Sequence, residues 1–232
     1  MPKALWMQDP RFHLYLDSGN LTELKACLPH PAVYGVTTNP TLLKRAEVTP
    51  PALPGLYEEI LALGVHRVQA QVLATGFDAT IQSARAILDY VDRRRIVVKI
   101  PATRDGFRAG AKLIADGHQV TFTAVYALEQ VVFAADMGAA YAAPYLGRLN
   151  DSGLDGLALI ARMQAVADRA RENGGKMRLL VASVRSREAF LSLVDLGVGA
   201  VTVPPRLFGE LLDHPATIEA ERVFLQDAAG LA

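Results

Sequence analysis

The chain is 232 residues long, 51% hydrophobic, and sets 24 basic residues against 24 acidic ones for a formal charge of zero. A balanced surface offers no field to hold a nucleic-acid backbone or an anionic membrane, so neither is expected and a small-molecule partner is favoured. Cys27 is the single cysteine, which excludes an internal disulfide and a cysteine-based metal cluster and fits a reducing, cytoplasmic setting; residues 3–7 are too short an apolar stretch for a signal segment, and no apolar run is long enough to span a bilayer.

Short β-rich runs alternate with longer amphipathic segments from start to finish, the pattern of repeated βα units around a parallel sheet. In chain order the predicted strands are 12–17, 33–39, 67–73, 95–100, 119–123, 140–145, 177–183 and 200–203, with helical stretches such as 77–92 and 154–172 between them. Gly117, Gly138 and Gly174 come just before strands, where they can end helices in the left-handed conformation. The proline-rich stretch 49–55 reads as a stiff βα loop. Eight such units predict one closed (β/α)8 TIM barrel over residues 1–232, with a helical tail at about 215–232 that packs on its own barrel or on a neighbour. An open doubly wound sheet is the rival, but no Gly-x-Gly-x-x-Gly follows the first strand and no Walker-type phosphate loop is present.

Lys99 lies inside Arg95-Ile96-Val97-Val98-Lys99-Ile100-Pro101, an amine in the most strand-like apolar run of the chain. Desolvation disfavours an ammonium, and a neutral amine can attack a carbonyl to form a Schiff base. The plain alternative is a strand-end lysine reaching out to water. Side chains alternate along a strand, so parity tests the two. With Lys99 and Val97 inward, apolar Ile96, Val98 and Ile100 face the helices; the same rule sends Asp17, Gln71, Thr123 and Tyr145 inward, and predicts Val181 and Ser183 inward with Leu180 and Ala182 outward. Thr37 and Asn39 join them late in the second strand. Singly, Asp17 could cap a helix, Thr37 and Asn39 could shape a turn, and Thr123 and Ser183 could be ordinary strand residues. Gathered at the C-terminal rim of a barrel, where the βα loops converge, these polar groups exceed what a packed core needs.

All of these rim residues except Gln71 sit in six ordered motifs. Leu14-Tyr15-Leu16-Asp17-Ser18, Gly35-Val36-Thr37-Thr38-Asn39-Pro40, Val97-Val98-Lys99-Ile100-Pro101, Thr123-Ala124-Val125-Tyr126, Ala143-Pro144-Tyr145-Leu146-Gly147-Arg148 and Ala182-Ser183-Val184-Arg185 span nearly the whole chain. Together they resemble the transaldolases, and within them the small subgroup of fructose-6-phosphate aldolase type. The resemblance implies a cofactor-free, metal-free class I aldolase in which Lys99 holds a ketone donor as an imine. It implies that Asp17, kept ionised by neutral neighbours, assists proton transfer, and that Thr37 and Asn39 hold a dihydroxyacetone moiety. Tyr145, with Gln71 and Thr123, would position a proton-shuttling water. Ala143 and Ser183 would border the substrate, and Arg148 and Arg185 would clamp an acceptor phosphate. Gln71, Tyr145 and Ala143 stand where transaldolases carry glutamate, phenylalanine and serine, and all three are aldolase-like. Arg185 is closer to the transaldolase pattern.

The leading expectation is therefore a lyase that reversibly joins a dihydroxyacetone-type ketone to an aldehyde such as glyceraldehyde 3-phosphate. A transaldolase passing the same three-carbon unit between sugar phosphates is the alternative. A barrel that only binds sugar phosphates is a third reading, of another class. The resemblance further implies a ring-shaped homo-oligomer, a pentamer or a decamer, with the terminal helix reaching a neighbour.

Overall fold

A computed structural model describes residues 12–231; the 3–7 stretch considered as a targeting signal lies outside the described residues. Eight strands, β1 (His13–Asp17), β2 (Val33–Thr37), β3 (Arg67–Gln71), β4 (Ile96–Pro101), β5 (Val120–Val125), β6 (Tyr141–Pro144), β7 (Arg178–Val181) and β8 (Ala200–Val203), pair in parallel in sequence order. β1 pairs with β8 and closes the barrel. This is the (β/α)8 architecture expected from the alternation.

Helices α1 (Leu21–Cys27), α2 (Pro40–Arg45) and α3 (Leu53–Ala62) follow the first two strands. Helices α4 (Phe77–Tyr90), α5 (Arg104–Ala115) and α6 (Leu128–Asp136) follow β3, β4 and β5. Around β6 to β8 come α7 (Leu146–Asp151), α8 (Gly156–Glu172), α9 (Arg187–Asp195) and α10 (Pro205–Leu212), and α11 (Pro215–Ala229) ends the chain. Helix starts are locally specified: Asn20, Thr103, Asp155 and Ser186 each accept a backbone N–H from the first turn beyond them. Gly117, Gly138 and Gly174 have positive φ just past helix ends, as the sequence implied. The proline stretch departs from expectation. It forms a 3-10 turn at Pro50–Ala52 and the start of α3, because first-turn positions have no intrahelical use for the N–H that proline lacks.

Alternation along the strands sorts the core into two layers. Leu16, Val36, Val68, Ile96, Val98, Ile100, Phe122 and Val201 pack outward against the helices. Inside the barrel, Tyr15, Tyr34, Val97, Tyr141, Ala143, Leu180 and Ala200 form a second cluster that fills the lumen. Tyr15 donates to the Tyr141 hydroxyl at 3.0 Å, which lies 2.8 Å from His13 Nδ1, so the bulky inner groups are mutually hydrogen-bonded. Gly35 makes room for this plug: a Cβ there would stand 2.4 Å from the Arg67 carbonyl oxygen and 2.6 Å from the Tyr15 ring.

Parity holds on β1, β3, β4 and β5 and fails on β7. Leu180 belongs to the inner cluster and Val181 to the outer one, the reverse of the expected assignment. The regular strand ends at Val181, and Ser183 adopts φ 58°, a left-handed turn that breaks the alternation and redirects its side chain. Ala124 (φ 55°) does the same where the β5–β6 register shifts between Thr123 and Val125. Among the described residues, no helix is long and apolar enough to cross a membrane. Helix α11 has no buried residue and presents Ile218, Phe224 and Leu225 to the outside, so the tail does not bury itself on its own barrel.

Candidate active site

At the C-terminal ends of the strands a cavity of about 500 Å³ opens, lined by Asp17, Asn39, Gln71, Lys99, Ala124, Tyr145, Arg148, Ser183 and Arg185 among others. That size suits a small sugar. Eight of the eleven residues singled out from sequence thus meet at one surface. Thr37 and Thr123 stand just behind it, each bonded to a wall residue. Ala143 differs: it lies in the packed inner cluster rather than on the cavity wall, because β6 places it one inward step below Tyr145.

Lys99 is 3% exposed, and its Nζ donates to the Thr38 carbonyl oxygen at 3.0 Å. Burial drives its pKa down, while the Asp17 carboxylate pulls the other way. Asp17 is subject to the mirror image. Burial raises its pKa, opposed by Lys99 and by the Thr37 hydroxyl that donates to Oδ1 at 2.6 Å. For both members of the pair desolvation outweighs the partner's charge, so the Asp17 pKa lies above and the Lys99 pKa below its ordinary value. Thr202, at the end of β8, sits 2.7 Å from the Thr37 hydroxyl and supports it from below.

On the opposite side, the Tyr145 hydroxyl lies 2.9 Å from Thr123 Oγ1. Burial holds its pKa above 10.0, so it keeps its proton at neutral pH. The Arg148 guanidinium covers the ring at 5.0 Å and Tyr126 meets it edge-on, which fixes where the hydroxyl points. Gln71 lines the cavity, and its Oε1 is buried without a hydrogen-bond partner among the described residues. Asn39 has a local duty: its Oδ1 caps α2 by accepting the Leu42 N–H at 3.0 Å, while the residue also borders the cavity.

The arginines differ from one another. Arg185 is joined to Asp151 through both terminal nitrogens, at 2.7 and 2.6 Å. Arg148 makes only a 3.5 Å contact to the Tyr126 hydroxyl beyond its ring stacking. A third, Arg45 on α2, also lines the cavity and was not foreseen. The signal was its spacing from Thr41, four residues earlier on one helical face. Thr38, which holds the lysine through its carbonyl, and Ala124 were also missed; neither carries a chemical signature in the sequence. Among the described residues, no group of three or more His, Cys, Asp and Glu side chains is placed to hold a metal ion.

Comparison with known proteins adds an independent line. A family profile described as Transaldolase/Fructose-6-phosphate aldolase matches residues 14–230. Proteins named probable transaldolase are similar: one from Ruegeria sp. (strain TM1040) is 36% identical over 86% of this chain and 89% of its own length. One from Thermoplasma acidophilum is 34% identical over 92% and 94%, and one from Caulobacter sp. (strain K31) is 35% identical over 94% and 96%. Among solved structures, a flavocytochrome b2 variant with sulfite bound superposes with a TM-score of 0.56 at 13% identity, over 84% of this chain and 57% of that one. That likeness concerns the barrel alone.

Proposed function

Because the chain belongs to the transaldolase/fructose-6-phosphate aldolase family, we propose that it is a Schiff-base aldolase, cleaving and forming a carbon–carbon bond between a dihydroxyacetone-type ketone and an aldehyde such as glyceraldehyde 3-phosphate. The family makes it an enzyme of aldolase or dihydroxyacetone-transfer chemistry. The observation that carries the finer reading is the buried Lys99 amine facing the same cavity as a tyrosine hydroxyl that stays protonated.

Lys99 Nζ attacks the ketone carbon, and loss of water from the carbinolamine gives an iminium. Asp17 takes the proton from the hydroxyl that becomes the aldehyde carbonyl. The electron pair of the breaking carbon–carbon bond then moves toward the iminium, leaving an enamine. Tyr145, through a water held with Gln71 and Thr123, returns a proton to the enamine carbon. Hydrolysis frees the ketone and restores the amine. In a transferase the enamine must instead wait for a second aldehyde, so a competent acid at this carbon favours cleavage over transfer.

The second reading, a transaldolase, is favoured by the names of the relatives. Fructose 6-phosphate offered with and without erythrose 4-phosphate separates the two. Consumption without the acceptor, releasing free ketone, supports the lyase; consumption only in its presence assigns the transferase. We place the reaction in the cytoplasm, in keeping with a single cysteine. A homo-oligomer in which α11 covers its apolar side on a neighbour fits that helix's lack of buried residues. Sedimentation of the full chain as a monomer at micromolar concentration would overturn the assembly.

A further inference from the structure

Three guanidinium groups, Arg45, Arg148 and Arg185, stand on the cavity wall, and they are not equally available to an anion. Arg185 is committed. Its two terminal nitrogens engage Asp151, and its side chain lies flat on Gly147, where an added Cβ would meet Nε at 2.7 Å and Cζ at 2.8 Å. The carboxylate of Asp151 cancels much of its charge toward the mouth. Arg45 is different: among the described residues it pairs with no carboxylate, hydroxyl or carbonyl oxygen, and it extends from the last turn of α2 into the same opening. Arg148 likewise pairs with no carboxylate among the described residues; it touches only the ring of Tyr145 and the hydroxyl of Tyr126.

We propose that the acceptor's phosphate is gripped between Arg45 and Arg148, from the β2 and β6 sides of the mouth, while Arg185, held by Asp151 and seated on Gly147, acts as a positioning residue at its border. The inference rests on the aldolase reading above, in which a phosphorylated aldehyde occupies the outer part of the cavity. It makes Arg45 a determinant of specificity. A guanidinium donates to phosphate through two parallel N–H groups, and two such forks from opposite walls fix the aldehyde carbon over the enamine. The geometry also sets an order along the cavity: Lys99 at the floor receives the ketone, and the arginines at the rim receive the anion.

The test compares kcat/KM for glyceraldehyde 3-phosphate with that for unphosphorylated glyceraldehyde, in the unaltered enzyme, in Arg45→Gln and in Lys44→Gln. Arg45→Gln should lower the ratio about tenfold through loss of charged hydrogen bonds. Lys44→Gln removes the same charge from the same helix away from this cavity, and should leave the ratio within about twofold. Arg45 is exposed, so its replacement leaves the core intact. An unchanged ratio in Arg45→Gln, an equal loss on both acceptors, an equal effect in Lys44→Gln, or an unaltered enzyme that does not discriminate between the acceptors would each overturn the proposal. Borohydride trapping with dihydroxyacetone keeps the two levels apart. Where Lys99 gains the reduced adduct in both proteins and the ratio still does not move, the role of Arg45 fails alone; where the unaltered enzyme traps nothing, the aldolase reading itself fails.

Discussion

Replacing Tyr145 by phenylalanine removes one oxygen and leaves the ring where it is, since Arg148 over its face and Tyr126 at its edge hold the aromatic carbons. The lost contact is the 2.9 Å bond to Thr123 Oγ1, worth about 1 kcal/mol of stability. The effect on chemistry is larger. A positioned general acid contributes roughly 10²- to 10⁴-fold, or about 3–5 kcal/mol on the barrier of the step it serves. That step is protonation of the enamine carbon, which ketone release requires and transfer to a second aldehyde does not. Single-turnover experiments that start from enzyme loaded with fructose 6-phosphate and quantify free dihydroxyacetone and the transfer product separately resolve the two. Release in Tyr145→Phe should fall at least about 100-fold, and transfer by less than about tenfold. Equal losses in both would refute the assignment of Tyr145 as the acid, and with it the case for a lyase.

Lys99→Met should abolish borohydride-dependent mass gain with dihydroxyacetone; a surviving adduct elsewhere in the chain would remove the lysine from the mechanism. In the intact protein, burial depresses the Lys99 pKa below 10.5, so kcat/KM for imine formation should rise with pH and flatten below that value as the neutral amine becomes dominant. The same shift has a sign for stability. Between the folded and unfolded pKa values the unfolded chain binds more protons at this site, so urea midpoints should climb with pH across that window, and Lys99→Met should lose this part of the climb. Matching pH slopes in the two proteins would contradict the buried amine. Gly110→Ala on α5 should cost about 1–2 kcal/mol in urea unfolding: its Cβ would come 2.4 Å from Cζ of fully buried Phe122, and overpacking of up to about 3 kcal/mol exceeds the roughly 1 kcal/mol gained in helix propensity. A stabilised variant would show that Phe122 yields.

The barrel was legible because its inward and outward residues differ in kind. On β4, Lys99 and Val97 alternate with Ile96, Val98 and Ile100, and no reversal of register would bury the isoleucines so well. Asp17 and Tyr145 were found by the same rule and by their motifs, and Gln71 by the rule alone. The rule failed at Leu180 and Val181 because a left-handed serine leaves no mark in a sequence; glycine would have announced the turn. The proline stretch misled because proline marks a loop and a helix start alike. Arg45 escaped since no strand carries it, and its approach to the cavity depends on how α2 lies across the rim.

The tyrosine plug beneath Lys99 gives the barrel one doorway. Tyr15, Val97, Tyr141 and Leu180 block the lower lumen, so both reactants must pass the arginine rim. Queueing follows from such a dead-end shaft. On the proposed aldolase reading, the ketone has to reach the amine before the aldehyde takes the outer berth, and an aldehyde that arrives first bars its partner. Surplus aldehyde therefore slows the condensation direction, and adding more ketone relieves the blockade.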